Sequence, residues 1–320
     1  MKIVILDGYT VTQNDLNWKT LEDLAEVEVY ERTAPEDVVT RCKGAEMVLT
    51  NKVVLDAATL NMLPRLMYIG VLATGYNVVD LEAATRQSIV VTNIPAYSTN
   101  SVAQMVFSHI LNIVSRVDHY ARANRKGKWS NSEDFCYLDH KLFELANKKI
   151  GIIGLGNTGM ATANIALGFG MNVLAYTSKD DNDLPEGIRK ATMDDLFESS
   201  DIISLHCPLN DETHHIINAD NIKKMKRSAI IINTGRGGLV NDSDLADALN
   251  NEQVYAYGAD VITTEPVLAD NPLLSAKNCF LTPHIAWATR EARQRLINIC
   301  TDNIKAFIDG EAINQVNKEV

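Results

Sequence analysis

The sequence predicts an α/β protein in which a doubly wound parallel sheet accompanies a second α/β domain. Two observations carry that prediction. Short β-rich apolar runs alternate with helical stretches along most of the chain, the pattern of parallel βαβ units. Halfway along, an apolar strand runs into three closely spaced glycines and then into an apolar helical stretch, with about 150 residues ahead of it. A folded domain therefore precedes the glycine loop, and 320 residues suit about two domains.

In the first 95 residues the β-rich runs are 2–6, 27–30, 47–49, 67–71 and 89–92. Helices are expected over 14–26, 35–42, 55–63 and 79–87. This first domain has no glycine fingerprint of its own. Ser101-Val-Ala-Gln104 then fits a capping box, with Ser101 at the N-cap and Gln104 three residues in. It opens a helix whose Val102, Met105, Val106, His109, Ile110, Ile113, Val114 and Val117 recur at helical spacing. Ala103, Phe107 and Leu111 make its other side apolar too, so it is expected to be buried on several sides, between domains or between subunits. Arg122, Arg125 and Lys126 before Gly127 suit its end. A second series follows, at 149–153, 172–176, 201–205, 229–232, 255–260 and 279–281. Six such runs match a doubly wound nucleotide-binding sheet. From Trp287 on, one helix and a tail are expected, and Asp180, Asp181 and Asp183 read as a solvated turn.

With 46% hydrophobic and 22% charged residues, the chain has an ordinary globular composition. No apolar run approaches the roughly 18 residues that span a bilayer. The opening Met1-Lys-Ile-Val-Ile-Leu-Asp7 is too short for the apolar stretch of a signal peptide. Five scattered cysteines without C-x-x-C spacing read as reduced thiols, and the expected location is cytoplasmic. A net charge of −11 argues against a nucleic-acid partner, and nothing points to a membrane. His214-His215 are adjacent and make a poor metal pair, so no metal is expected.

Four segments carry chemistry. Gly154, Gly156 and Gly159 stand at G-x-G-x-x-G spacing, with Asn157 and Thr158 opening the helix. The first glycine allows the turn, the second lets backbone approach a dinucleotide pyrophosphate, and the third lets helix pack on strand. The helix N-terminus adds N–H groups and a positive dipole end. Ile232-Asn-Thr-Gly-Arg-Gly-Gly238 puts Arg236 at the carboxyl edge of the sheet, where its planar fork matches a carboxylate or 2-oxo acid. Glu265 and His284 each follow a later strand. A carboxylate beside a histidine orients the ring and favours its charged form, which suits proton donation.

These segments resemble the D-isomer-specific 2-hydroxyacid dehydrogenase family, and most of all its glycerate dehydrogenase/hydroxypyruvate reductase group. The likeness also runs through Ala73-Thr-Gly-Tyr-Asn-Val-Val-Asp80, Asn93-Ile-Pro-Ala-Tyr97, Ser204-Leu-His-Cys-Pro208, the stretch from Asp260 to Pro266 and Thr282-Pro-His-Ile285. It implies a Rossmann-type doubly wound parallel sheet over 99–286, inserted into a flavodoxin-like α/β substrate domain made of 1–98 plus 287–320. It implies hydride transfer between NAD or NADP and a small 2-oxo acid, hydroxypyruvate or glyoxylate first, giving D-glycerate or glycolate. Arg236 would bind the substrate, His284 would donate the proton, and Glu265 would orient and charge His284. Backbone N–H groups of Ala73, Thr74 and Gly75 would hold the carboxylate, with Lys52 a further substrate candidate or a solvated lysine. Cys207, Pro208, Thr234 and Gly235 would line the cofactor cleft, and Asp260 would meet the nicotinamide carboxamide.

One departure matters. The family's acidic residue for the adenosine ribose falls at Thr177, followed by Ser178 and Lys179, which suit the extra phosphate of NADP. Asp180 and Asp181 oppose that, and the choice between NAD and NADP stays open. A homodimer is expected from the apolar helix and from Trp129, Phe135 and Tyr137 after it. A nucleotide-sensing corepressor of the same fold is the rival reading, and a family dehydrogenase for another 2-hydroxy acid is a third.

Overall fold

The computed structural model describes residues 1–318; positions 319 and 320, the end of the expected tail, lie outside the described residues. The chain divides into two compact units, one formed by Met1–Ser98 with the segment from Trp287 on, the other by Thr99–Ala286.

The first unit holds strands β1 (Lys2–Ile5), β2 (Glu26–Val29), β3 (Met47–Thr50), β4 (Tyr68–Val71) and β5 (Val90–Thr92). All pair in parallel, in the order β2-β1-β3-β4-β5. Side chains alternate between two cores, as the two-residue period of a strand demands. Val4, Val48 and Ile69 join one, while Ile3, Ile5, Met47 and Leu49 join the other. Helix Arg290–Ile308 covers the second face with Ala292, Leu296, Ile297, Cys300 and Ile304. The single helix expected over 14–26 is instead two short ones, Tyr9–Thr12 and Lys19–Glu22. Gln13 and Asn14, both at positive φ, end the first of them.

The second unit holds β6 (Lys149–Ile153), β7 (Asn172–Tyr176), β8 (Ile188–Lys190), β9 (Ile202–Leu205), β10 (Ile230–Asn233), β11 (Ala256–Ala259) and β12 (Cys279–Leu281). They form one parallel sheet, β12-β11-β10-β9-β6-β7-β8. The winding reverses between β6 and β9, and open α/β sheets take ligands beyond the strand ends at such a reversal. Six strands were expected here and seven are present. β8 escapes a hydrophobic pattern because only Ile188 is buried, while Arg189 and Lys190 are exposed on this edge strand.

Two expectations for the long helix are corrected. It starts at Thr99, so Ser101 lies inside its first turn rather than at its N-cap, and the Ser101 hydroxyl donates to the carbonyl of Ala286. It also breaks at Arg116, whose φ is 52°, and a second helix runs over Val117–Arg125. The Arg116 guanidinium is buried against the ring of Phe280 and donates to Asn278 Oδ1. The apolar side chains Val106, Phe107, Ile110, Ile113 and Val114 of helix Thr99–Ser115 enter the core of this same unit, packing with Ile150, Ile152 and Ile232.

Candidate active site

At the end of β6 the three glycines have three separate physical reasons. Gly154 has φ +94°, and a Cβ there would fall 2.6 Å from the backbone nitrogen of Cys207, so no side chain fits. A Cβ on Gly159 would fall 2.1 Å from the Gly154 carbonyl oxygen, which is how closely the helix meets the turn. Gly156, by contrast, faces open space, with no atom within 4 Å of its missing Cβ. It caps helix Asn157–Gly168 without any side-chain cap of its own. That leaves the helix N-terminus, opened by Asn157 and Thr158, facing a cradle of the kind a pyrophosphate fills. The neighbouring walls suit the same ligand. Burial pushes the Cys207 thiol up, Pro208 is exposed beside it, and the buried Thr234 hydroxyl finds no partner among the described residues. A dinucleotide therefore fits the residues present.

Thr177, Ser178 and Lys179 leave the end of β7. The Lys179 N–H donates to the Thr177 hydroxyl at 3.2 Å, and Lys190 Nζ donates to the Lys179 carbonyl at 2.6 Å. Asp181–Asp183 forms an exposed turn just beyond.

Arg236 follows β10 in extended backbone, with its side chain exposed. Buried Asn233 clamps this loop: its amide donates to the Arg236 carbonyl at 2.9 Å and its oxygen accepts from Gly235 N–H at 3.0 Å. Gly237 presses on the segment after β11, where a Cβ would fall 2.0 Å from Ile262. From that segment Glu265 reaches His284, with Oε2 2.6 Å from Nδ1, while its Oε1 accepts from Ile262 N–H at 3.2 Å. Both side chains are about one-third exposed, 34% for Glu265 and 30% for His284.

His284 sits at φ 53°, a left-handed conformation that costs a β-carbon residue about 1–2 kcal/mol. Such strain persists only where the surroundings enforce it. Here Asp260 enforces it from both sides. Its Oδ1 accepts from the Thr282 hydroxyl at 2.6 Å and from Ile285 N–H at 2.9 Å, and its Oδ2 accepts from Ala286 N–H at 2.7 Å. Asp260 is 1% exposed, so the carboxylate is a buried staple for the histidine turn. The sequence did not announce that task. It also placed His109 among apolar helix positions, and its ring in fact meets the Thr282 hydroxyl at 3.2 Å.

In the first unit, Ala73, Thr74 and Gly75 follow β4. Their loop is fixed through its carbonyls, Ala73 accepting from Ile94 N–H and Thr74 from the Asn93 amide. Among the described residues, the N–H groups of these three make no hydrogen bond. Lys52 follows β3 with an exposed side chain, and its backbone N–H donates to Asp7 Oδ2. Asn51 and Val53 N–H groups also donate to Asp7, whose carboxyl is raised by burial despite those bonds.

This geometry can be set beside known proteins. Residues 107–286 match the family described as D-isomer specific 2-hydroxyacid dehydrogenase, NAD binding domain. The chain is 47% identical over 322 residues to a hydroxypyruvate reductase of Blautia hydrogenotrophica, covering 99% of this chain and 100% of that one. It is 39% identical over 318 residues to a glycerate dehydrogenase of Methylorubrum extorquens, covering 98% of each. Among solved structures, an acyclic imino acid reductase in complex with NADPH and D-Arg superimposes with a TM-score of 0.86 at 27% identity, covering 99% of this chain and 100% of that one. The chain belongs to the D-isomer-specific 2-hydroxyacid dehydrogenase family. It is an oxidoreductase of the NAD- or NADP-using kind, with the two-domain α/β fold of that family.

Proposed function

We propose that the chain reduces small 2-oxo acids with NADH or NADPH, hydroxypyruvate and glyoxylate foremost, to D-glycerate and glycolate. The single observation that carries the mechanism is the 2.6 Å contact between His284 and Glu265 on the unit that also holds the glycine loop. The names of the two relatives support the choice of substrate.

When bound, the reduced nicotinamide supplies the hydride. His284 supplies the proton. Held by Nδ1 against Glu265 Oε2, the His284 ring is oriented to give the Nε2 proton to the substrate carbonyl oxygen. The Arg236 guanidinium neutralises and orients the substrate carboxylate and carbonyl. Gly154, Gly156, Asn157, Thr158 and Gly159 hold the pyrophosphate, Cys207, Pro208, Thr234 and Gly235 flank it, and Asp260 adds a carboxamide contact to its structural bonds. In the first unit, the N–H groups of Ala73, Thr74 and Gly75, with Lys52, supply carboxylate-binding groups. The test is steady-state oxidation of NADH and NADPH with hydroxypyruvate, glyoxylate and pyruvate. Turnover with the first two supports the reading, and no turnover with any of the three favours a nucleotide-sensing binding protein.

The proposed protein is a homodimer. Phe135 is 89% exposed, Leu138 74%, Val117 68% and Trp129 56%, a large apolar outlay for a monomer in water. Tyr137 beside them is half-buried, its hydroxyl donating to Asn124 Oδ1. Light scattering at micromolar concentration reads the mass, and a monomer overturns the dimer. No helix among the described residues is long and apolar enough to cross a membrane. Five free cysteines suit a reducing cytoplasm.

A further inference from the structure

We infer that His109 is a positioning residue for His284, acting through Thr282 and Asp260. The inference rests on the proposed role of His284 as proton donor, and it goes beyond that role by adding a residue that touches neither substrate nor cofactor.

Hydrogen-bond accounting fixes the direction of the chain. The Thr282 hydroxyl has one hydrogen, and two acceptors compete for it. Asp260 Oδ1 lies at 2.6 Å, the Ala259 carbonyl at 3.4 Å. The carboxylate wins. Having given its hydrogen to Asp260, the hydroxyl can only accept from His109 Nε2 at 3.2 Å, so His109 carries its hydrogen on Nε2. The ring is fixed in place: His109 is 5% exposed and its Cβ lies where a Cβ on Gly258 would come within 2.9 Å. Burial lowers the affinity of His109 for a second proton, and the charge of Asp260 partly restores it.

The consequence reaches the strained turn. Thr282 stands two residues before His284, and Ile285 and Ala286 directly follow it. All three are tied to the one carboxylate whose orientation the His109–Thr282 pair completes. Without His109, the Thr282 hydroxyl keeps an unused acceptor in a part-buried place and is free to turn toward Ala259. The left-handed histidine then loses part of what enforces it.

The experiment uses the full chain with four substitutions: His109→Leu, His109→Gln, Thr282→Val and Thr282→Ser. We expect His109→Leu and Thr282→Val to lower kcat with hydroxypyruvate about tenfold, as small misplacements of a catalytic group do. The dissociation constant for NADH should stay within a factor of about two of wild type. His109→Gln and Thr282→Ser, which keep a donor and a hydroxyl, should recover most of kcat. A second readout needs no cofactor: in protein labelled at histidine Cε1, the His284 resonance, assigned with His284→Ala, should shift in position and titration in the two damaging variants. If His109→Leu does not fold, the Thr282 pair decides by the same criteria. Unchanged kcat and an unchanged His284 resonance, with only the melting temperature lowered, overturn the positioning role. A wild-type enzyme inactive on all 2-oxo acids, with the His284 shift still present, overturns the proposed reaction and leaves the linkage standing.

Discussion

His284 Nδ1 lies 2.6 Å from Glu265 Oε2, and the two residues are brought together from different strand exits, after β12 and after β11. Neither side chain is deeply buried, so holding the two together costs little in desolvation. Its value lies in the orientation of the ring.

Glu265→Gln retains an acceptor and removes the charge. The expected result is a fall of at least tenfold in kcat/KM for the 2-oxo acid, with NADH affinity unchanged by fluorescence titration. Wild-type kcat/KM in this variant would detach Glu265 from the reaction.

The glycine loop separates folding from binding. Gly154→Ala puts a side chain at positive φ and 2.6 Å from the Cys207 nitrogen, so it should cost about 1–3 kcal/mol of stability, read as a lower melting temperature. The Cβ of Gly156→Val would meet no protein atom within 4 Å. The variant should stay within about 1 kcal/mol of wild type while NADH binding weakens at least tenfold. Equal effects of the two variants on binding and stability would refute this division of labour.

Thr177→Asp places a carboxylate at the end of β7. Charge repulsion should weaken NADPH relative to NADH by at least tenfold in direct titration. An unchanged ratio would show that the 177–179 segment does not meet the adenosine ribose.

Stability should depend on pH through His109. Its folded affinity for a proton is lowered by burial, so below about pH 6.5 the unfolded chain binds a proton that the folded chain resists. Stability therefore falls as pH drops through that value, and His109→Leu should flatten the melting-temperature curve between about pH 7 and about pH 5. Parallel curves for variant and wild type would contradict this.

Much of the fold was legible because it is written in local patterns. Both sheets follow from apolar runs spaced by helices, and the glycine loop from its spacing, with no room for a Cβ at Gly154 or Gly159. β8 was not legible, since one buried residue in three leaves no period to detect. The break at Arg116 was hidden for another reason. It depends on Asn278 and Phe280, about 160 residues away in sequence, and no helical pattern encodes them. Arg236, Glu265 and His284 stood out as chemical types at strand exits. The staple made by Asp260 and the ring of His109 did not, because a buried carboxylate and a histidine on an apolar face look the same in sequence whatever they hold.

In the proposed reaction His284 gives the proton. The most direct measurement compares His284→Ala with wild type in two assays on one preparation: NADH dissociation by fluorescence, and kcat with hydroxypyruvate. The expected result is a dissociation constant within a factor of about three and a kcat lower by about a hundredfold or more. A variant that binds NADH and turns over at the wild-type rate would contradict it.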